Sequence, residues 1–109
     1  MTDSYKVGYS VEALDDLREI YSYIAYELLV PDTAVAQLGR IRREVLSLNF
    51  MPTRYALVSW EPWHSMKMHQ LSVDNFIVYY LVNDEKRAVT VVRIFYGGRD
   101  IEGIINSNK

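Results

Sequence analysis

Apolar residues recur along the first half of the chain with the period of an α-helix. A short alternating segment, residues 6–9, predicts a first strand, and Ser10 is the expected N-cap of a helix that runs to about Leu29 and ends at Pro31. The apolar positions of this helix are three or four residues apart, which places them on one stripe. The residues predicted to be buried are Leu14, Leu17, Tyr21, Ile24 and Leu28.

A second helix follows after a turn of three or four residues. Asp32 or Thr33 is its predicted N-cap, and it extends to about Leu48. Its apolar stripe has the same spacing as the first, so the two helices are predicted to pack as an antiparallel hairpin. The stripe consists of Ala34, Leu38, Ile41, Val45 and Leu48.

The second half of the chain changes from helical to strand periodicity. Residues 50–65 contain two prolines and no sustained period, which predicts a loop with a short extended piece at 55–59. Trp60 and Trp63 in this loop either cap the core, which is the preferred interpretation, or form a contact site. Strands are predicted at 66–71, at 76–82 and from Ala88 to the glycines at 97 and 98. Short polar turns join them, so they form an antiparallel meander. Residues 101–105 fit a helical turn or a final strand.

These elements predict an α+β fold in one domain, residues 1–109: a short N-terminal strand and an antiparallel helical hairpin packed on one face of a three- to five-stranded antiparallel sheet. The other face is then open. Strict alternation along the last strand puts Val91, Arg93 and Phe95 on one face and Val92 and Ile94 on the other. Either Arg93 or its neighbours Ile94 and Tyr96 are therefore predicted to point to the open face.

Composition excludes several kinds of site. The chain has no cysteine and only two histidines, so disulfides, thiol catalysis and a multi-histidine metal centre are not expected, and no cofactor is predicted. The formal net charge of −2 does not favour binding to nucleic acid through phosphate contacts, although the arginines are numerous enough to form a local basic surface. Neither a membrane span nor a signal peptide is visible, so a cytoplasmic protein is expected.

Several short motifs occur in a characteristic order. They are Ser-x-Glu-Ala-x-x-Asp-Leu at 10–17, Pro-x-x-Ala at 31–34, Tyr-x-Val at 80–82, Arg93-Ile94, and Tyr-Gly-Gly-Arg-Asp at 96–100. In this ordered set the chain resembles the RelE/ParE superfamily of toxins from bacterial type II toxin–antitoxin modules. The resemblance covers nearly the whole chain and implies a toxin that a cognate antitoxin protein neutralises.

The resemblance to RelE-like members implies metal-independent cleavage of messenger RNA on the ribosome. Such cleavage needs an acid, a base and a cation at the phosphorus centre. Arg99 matches the family arginine that stabilises this centre, whereas the family's lysines fall near Met68 and Gln70, one residue from Lys67 and His69. The alternative for Arg93 is a structural role, in which it forms an ion pair with Asp100 or Glu102 and takes no part in the chemistry. The candidate catalytic residues are Arg99, His69, Lys67, Tyr96 and Arg93.

The resemblance equally covers ParE-like members. These imply a toxin that inhibits DNA gyrase by binding, without a catalytic site. A third alternative is an interaction module that has lost its toxicity. The expected partners are accordingly an antitoxin together with either the ribosome and mRNA or DNA gyrase, and no membrane.

Overall fold

A helical hairpin lies against one face of a four-stranded sheet in the computed structural model, which describes residues 4–97. The α+β fold predicted from the sequence is confirmed. The elements in chain order are β1 (Lys6–Tyr9), α1 (Val11–Ser22), a π-helical turn (Tyr23–Glu27), α2 (Pro31–Leu46), two 3₁₀ turns (Ser47–Asn49 and Pro52–Arg54), β2 (His69–Val73), β3 (Phe76–Asn83) and β4 (Ala88–Tyr96).

The strand order in the sheet is β1-β4-β3-β2. Strands β2, β3 and β4 form the predicted antiparallel meander. Strand β1 pairs with β4 in parallel, with Lys6 opposite Ala88, so the sheet is mixed rather than wholly antiparallel. Two strands joined by a tight turn must pair antiparallel. Most of the chain lies between β1 and β4, so no such turn sets their relative direction, and the local sequence pattern of β1 does not indicate it either.

Helix α1 begins as predicted, because the Ser10 hydroxyl oxygen accepts a hydrogen bond from the Ala13 amide at 3.0 Å. Its buried face is centred on Ala13 and Leu17. Leu14 and Leu28, predicted to be buried, are exposed. The π-helical turn accommodates more residues per turn than an α-helix, which changes the phase of the stripe before Leu28; Leu14 lies beside the buried stripe rather than in it.

Helix α2 begins earlier than predicted. Val30 is the N-cap and makes no side-chain capping bond, so the prediction of Asp32 or Thr33 was wrong. Pro31 occupies the first turn, where its missing N–H has no helical acceptor to lose. The predicted stripe of α2 is confirmed. Ala34, Ile41, Val45 and Leu48 are buried, and Leu38 is half-buried.

A β-bulge in β4 changes which side chains face the helices. Val91 lies opposite Tyr80 and Arg93 lies opposite Tyr79, so Val92 is an additional residue in β4. Both Val91 and Ile94 consequently join the core beneath the helices, although strict alternation assigned them to different faces. That prediction was wrong because a period of two fails at a bulge.

The second face of the sheet is covered by the segment between the helices and β2. Val58 and Met68 from this segment pack with Tyr79 and Phe95 of the sheet, and Trp60 and Trp63 lie against them. The predicted core-capping role of the tryptophans is confirmed. The prediction of an open face was wrong, because a loop without periodicity still carried enough apolar side chains to cover the sheet.

The loop also delays the start of β2. Residues 59–60 form a bend and residues 61–67 form turns, so the strand begins at His69 rather than at Met66. The predicted extended piece is present as a single bridge between Leu57 and His69. In the part of the chain from residue 4 to 97, no helix has both the length and the apolar character to span a bilayer. The predicted element at 101–105 lies outside the described residues.

Candidate functional site

Arg93 is bound to helix α1 at the edge of the sheet. Strand β1 ends at Tyr9, and beyond that point side chains of the first helix replace it as partners of β4. The Ser10 hydroxyl donates to the Val92 carbonyl at 2.8 Å. The Asp16 carboxylate accepts from the Ile94 amide at 2.9 Å and from Arg93 through Nε at 2.8 Å and Nη2 at 3.0 Å.

This ion pair is largely shielded from water. The side chains of Arg93 and Asp16 are only 16% and 8% exposed. The hydrogen bonds from Arg93 to Asp16 raise the pKa of the guanidinium, and its central carbon lies 4.4 Å from the centre of the Phe95 ring. Arg93 thus has a structural partner that the sequence did not reveal; the acidic residues considered for it, Asp100 and Glu102, lie outside the described residues. The sequence contained one indication that Asp16 is buried and needs a partner, namely its position on the buried face of α1 between Ala13 and Leu17.

His69 lies on the helix side of the sheet, in a buried position. Its Nδ1 is 2.8 Å from the Tyr55 carbonyl oxygen, which requires that Nδ1 carries the proton. Its ring stacks on Tyr80 with 5.2 Å between centroids and 15° between planes. The Tyr80 hydroxyl in turn donates to the Pro52 carbonyl at 2.6 Å. These bonds hold the loop before β2 on the sheet.

Lys67 and Tyr96 are both exposed. Lys67 occupies the turn before β2, where its backbone is left-handed with φ of 63°. Tyr96 ends β4 and meets Phe76 edge to face, with ring centroids 5.8 Å apart. Arg99 lies outside the described residues.

The candidate residues are spread over the sheet. His69 is in register with Tyr80 and shares its face, whereas Arg93 is in register with Tyr79 and points to the other face. Tyr96 pairs with Phe76, four residues along β3 from Tyr80, which is about 13 Å at the usual strand rise. His69, Arg93 and Tyr96 therefore do not converge on one point.

Tyr96 does contribute to a shallow depression at the β2–β3 turn. Its other lining residues include Ser72, Asp74, Asn75 and Gly97. Asp74 accepts from Arg40 at 2.7 Å and from Gln37 at 3.0 Å, and the bond from Arg40 lowers the pKa of this carboxyl. Asp74 therefore anchors helix α2 to the turn. Among residues 4–97, no three His, Cys, Asp or Glu side chains are grouped so that they could bind a metal ion.

A second surface was not predicted from the sequence. The end of the helical hairpin exposes five apolar side chains, which together we call the hairpin tip: Tyr23, Tyr26, Leu28, Leu29 and Val30. Two main-chain bonds fold the connection back on the π-helical turn, from Leu28 N–H to the Tyr23 carbonyl at 3.0 Å and from Val30 N–H to the Ile24 carbonyl at 3.2 Å. The tip is thus an ordered surface.

The fold occurs in solved structures of toxins from several organisms. A structure of the chromosomal ParDE system of P. aeruginosa aligns with 87% of this chain and 98% of its own, at 18% identity and a TM-score of 0.72. A free-state variant of E. coli RelE aligns with 94% of this chain and 92% of its own, at 14% identity and a TM-score of 0.65. The RelBE2 toxin–antitoxin complex of Mycobacterium tuberculosis aligns with 85% of this chain and 91% of its own, at 17% identity and a TM-score of 0.61. Similarity at this level of identity establishes the fold alone.

No curated protein sequence matches the chain. A family model does match, that of the ParE toxin of the type II toxin–antitoxin system parDE, and it covers residues 7–101. The match includes β1, the hairpin, the tryptophan loop and the meander, and it confirms the resemblance to the RelE/ParE superfamily. The chain therefore belongs to the ParE toxin family of type II toxin–antitoxin systems.

Proposed function

We propose that this toxin inhibits DNA gyrase by binding to it, without catalysing a reaction. The family match to ParE supports this choice over RNA cleavage. The observation that carries it is the position of His69, the one histidine among the candidate residues and therefore the expected general acid or base. A general acid or base must reach the substrate, but His69 is buried and its Nδ1 is bonded to the Tyr55 carbonyl.

The state of Arg93 supports the same proposal. A cation that stabilises a phosphorane must be free to approach the phosphate. Arg93 is instead bound through two nitrogens to Asp16 and lies against Phe95. Releasing it would leave Asp16 as a buried charge without its partner, which is costly. A toxin that acts by surface contact needs neither residue at a reaction centre.

We further propose that a cognate antitoxin protein neutralises the toxin and that residues 1–109 act as one toxin domain. The family match spans 7–101, and a single sheet joins the first and last described strands. The solved relatives from P. aeruginosa and M. tuberculosis belong to a ParDE system and a RelBE2 toxin–antitoxin complex.

Two parallel assays of the full-length chain test the proposed target. In a supercoiling assay with purified gyrase, the toxin is expected to inhibit the enzyme, and the purified antitoxin is expected to restore activity. In a reconstituted translation reaction with end-labelled mRNA, no codon-positioned cuts are expected. Intact supercoiling together with mRNA cuts would overturn the proposal.

Substitutions separate the two mechanisms further. Growth arrest by His69→Asn is expected to equal that of the wild type, because the asparagine amide takes the place of Nδ1 as donor to the Tyr55 carbonyl and no proton transfer is involved. A loss of arrest with unchanged thermal unfolding would instead identify His69 as a participant in catalysis. Val58→Ala is the control for a general loss of folding, because Val58 is buried over the second face of the sheet.

Cleavage of mRNA on the ribosome is the second candidate. Two exposed residues of the predicted set, Lys67 and Tyr96, favour it, since both are accessible to a large substrate. In this mechanism Arg99 stabilises the phosphorus centre and Lys67 or Tyr96 supplies the proton. Arg99→Ala would then abolish mRNA cuts, as would either Lys67→Ala or Tyr96→Phe, whichever removes the proton donor, while the thermal unfolding of the protein stays unchanged.

A further inference from the structure

The hairpin tip concentrates apolar surface in one continuous stretch of chain. Between residues 23 and 30, only Ile24 and Ala25 are buried. Leu29 is 76% exposed, Tyr26 is 68% exposed and Tyr23 is 57% exposed. Exposed apolar side chains scattered singly need no explanation, but a contiguous group of this kind marks an interaction surface.

The backbone of the tip is unusual at the same place. Residues 23–27 form a π-helical turn, a geometry found mostly as short insertions that often accompany function. Leu29 is left-handed with φ of 60°, a conformation that favours glycine or asparagine. A leucine that is both exposed and left-handed is unfavourable for the isolated chain. A partner that covered this side chain would remove its exposed apolar surface from water.

The size of the tip matches one side of a protein–protein interface. Two tyrosines exposed by about two-thirds contribute about 250 Å², taking about 200 Å² for a whole aromatic side chain. Leu28, Leu29 and Val30 add a comparable area, for a total of about 500 Å². A standard interface buries about 800 Å² per partner, of which roughly 60% is apolar, or about 480 Å². Complete burial of the tip would supply that apolar share.

The charges beside the tip suit a second copy of the same chain. The depression that Tyr23 and Tyr26 line also contains Arg18, Glu19 and Glu27. A surface with both signs of charge is complementary to itself across a twofold axis, where Arg18 of one copy meets an acidic residue of the other. The internal pair of Arg18 with Asp15 is exposed and therefore weak enough to exchange. A formal net charge of −2 adds little repulsion between copies.

From these observations we infer that the free toxin forms a twofold homodimer through its hairpin tips, with Tyr26 and Leu29 as the central contacts. The dimer would cover the apolar side chains of the hairpin tip. This inference concerns the toxin without its antitoxin and does not depend on the choice between gyrase and the ribosome as target.

Sedimentation velocity of the full-length toxin over a range of concentrations tests the inference. The wild type is expected to change from monomer to dimer as the concentration rises. Leu29→Asn is expected to raise the dissociation constant at least tenfold, because it removes a central contact. Asparagine tolerates the left-handed backbone, so this variant is expected to fold, which its thermal unfolding would verify.

Leu46→Gln is the matched control. Leu46 is a leucine of similar exposure, 64%, but it ends α2, about 22 Å along the helix from the tip. Its substitution is expected to leave the dissociation constant unchanged. A wild type that stays monomeric at every concentration would overturn the inference, as would Leu29→Asn and Leu46→Gln weakening the dimer equally. If the free toxin is monomeric and added antitoxin protects the tip from hydrogen exchange, the tip binds the antitoxin and the homodimer is refuted.

Discussion

Asp16 and Arg93 form an ion pair that completes the edge of β4 where β1 stops. One carboxylate accepts three hydrogen bonds, two from the guanidinium and one from the Ile94 amide. Strand β1 is too short to pair with this part of β4, so α1 supplies the missing acceptor from its buried face. The pair joins the helical hairpin to the sheet, and it removes from solvent an arginine that the sequence offered as a catalytic residue.

Removing the charge of Asp16 should destabilise the fold. Asp16→Asn keeps an oxygen for the Ile94 amide but leaves the Arg93 guanidinium shielded without a counter-charge. We expect the free energy of unfolding to fall by about 3 kcal/mol, measured by urea denaturation. The control is Asp15→Asn, which removes an exposed carboxylate paired with Arg18 and should change stability by less than about 0.5 kcal/mol. Equal losses in the two variants would contradict this role of the pair.

The same ion pair can be removed from both sides. In the double variant Asp16→Asn with Arg93→Met, no uncompensated charge is left. We expect it to be more stable than the sum of the single effects predicts, by at least about 1 kcal/mol in a double-mutant cycle. Strict additivity would show that the two side chains contribute independently.

Alkaline pH should destabilise the fold through Tyr79. Burial raises the pKa of this phenol from 10.0 to about 12. Because the folded state resists ionisation, the unfolded state releases its proton first, and stability falls as the pH rises from 10 to about 12. The contribution of Tyr79 should be about 2 kcal/mol across this interval, measured by urea denaturation at several pH values.

Tyr79→Phe separates this residue from the other tyrosines. Burial also raises the pKa of Tyr80 and Tyr9, so the variant should still lose stability at high pH, but less steeply than the wild type. Identical pH profiles for the variant and the wild type would show that the Tyr79 phenol ionises as freely in the folded state as in the unfolded chain.

Glycine at position 29 should stabilise the helical hairpin. Leu29 follows the cap of the π-helical turn with φ of 60°, where glycine has no steric penalty. We expect Leu29→Gly to raise the free energy of unfolding by about 0.5 to 1 kcal/mol, measured at a concentration where the toxin is monomeric. Leu28→Gly, one residue earlier in a right-handed conformation, should lower it. A loss of stability at both positions would argue against strain at Leu29.

Arg54 should stabilise the end of the second helix rather than bind a target. Its guanidinium donates to the carbonyl oxygens of Ser47, Phe50 and Met51. We expect Arg54→Ala to lower the free energy of unfolding by about 1.5 kcal/mol, since the carbonyl that caps α2 and two carbonyls just after it lose a charged donor. Arg43→Ala, at an exposed arginine in the last turn of α2, should cost less than about 0.5 kcal/mol by the same measurement.

Local patterns in the chain were sufficient for the elements and for the family. The Ser10 cap, the stripe of α2 and the β-branched run of β4 act through near neighbours in sequence, so the helical hairpin and the antiparallel meander could be predicted. The ordered motifs likewise identified the RelE/ParE resemblance. These features depend on spacing along the chain, which the sequence contains directly.

Tertiary packing decided the direction of β1, the coverage of the second face and the surroundings of the candidate residues. The bulge at Val92 appears only when β3 and β4 are paired, and it alone determines that Val91 and Ile94 face the same helices. Asp16 and Arg93 are 77 residues apart, and no local pattern links them. Whether an arginine or a histidine is available for chemistry depends on which distant groups bind it, and those partners exist only in the folded chain.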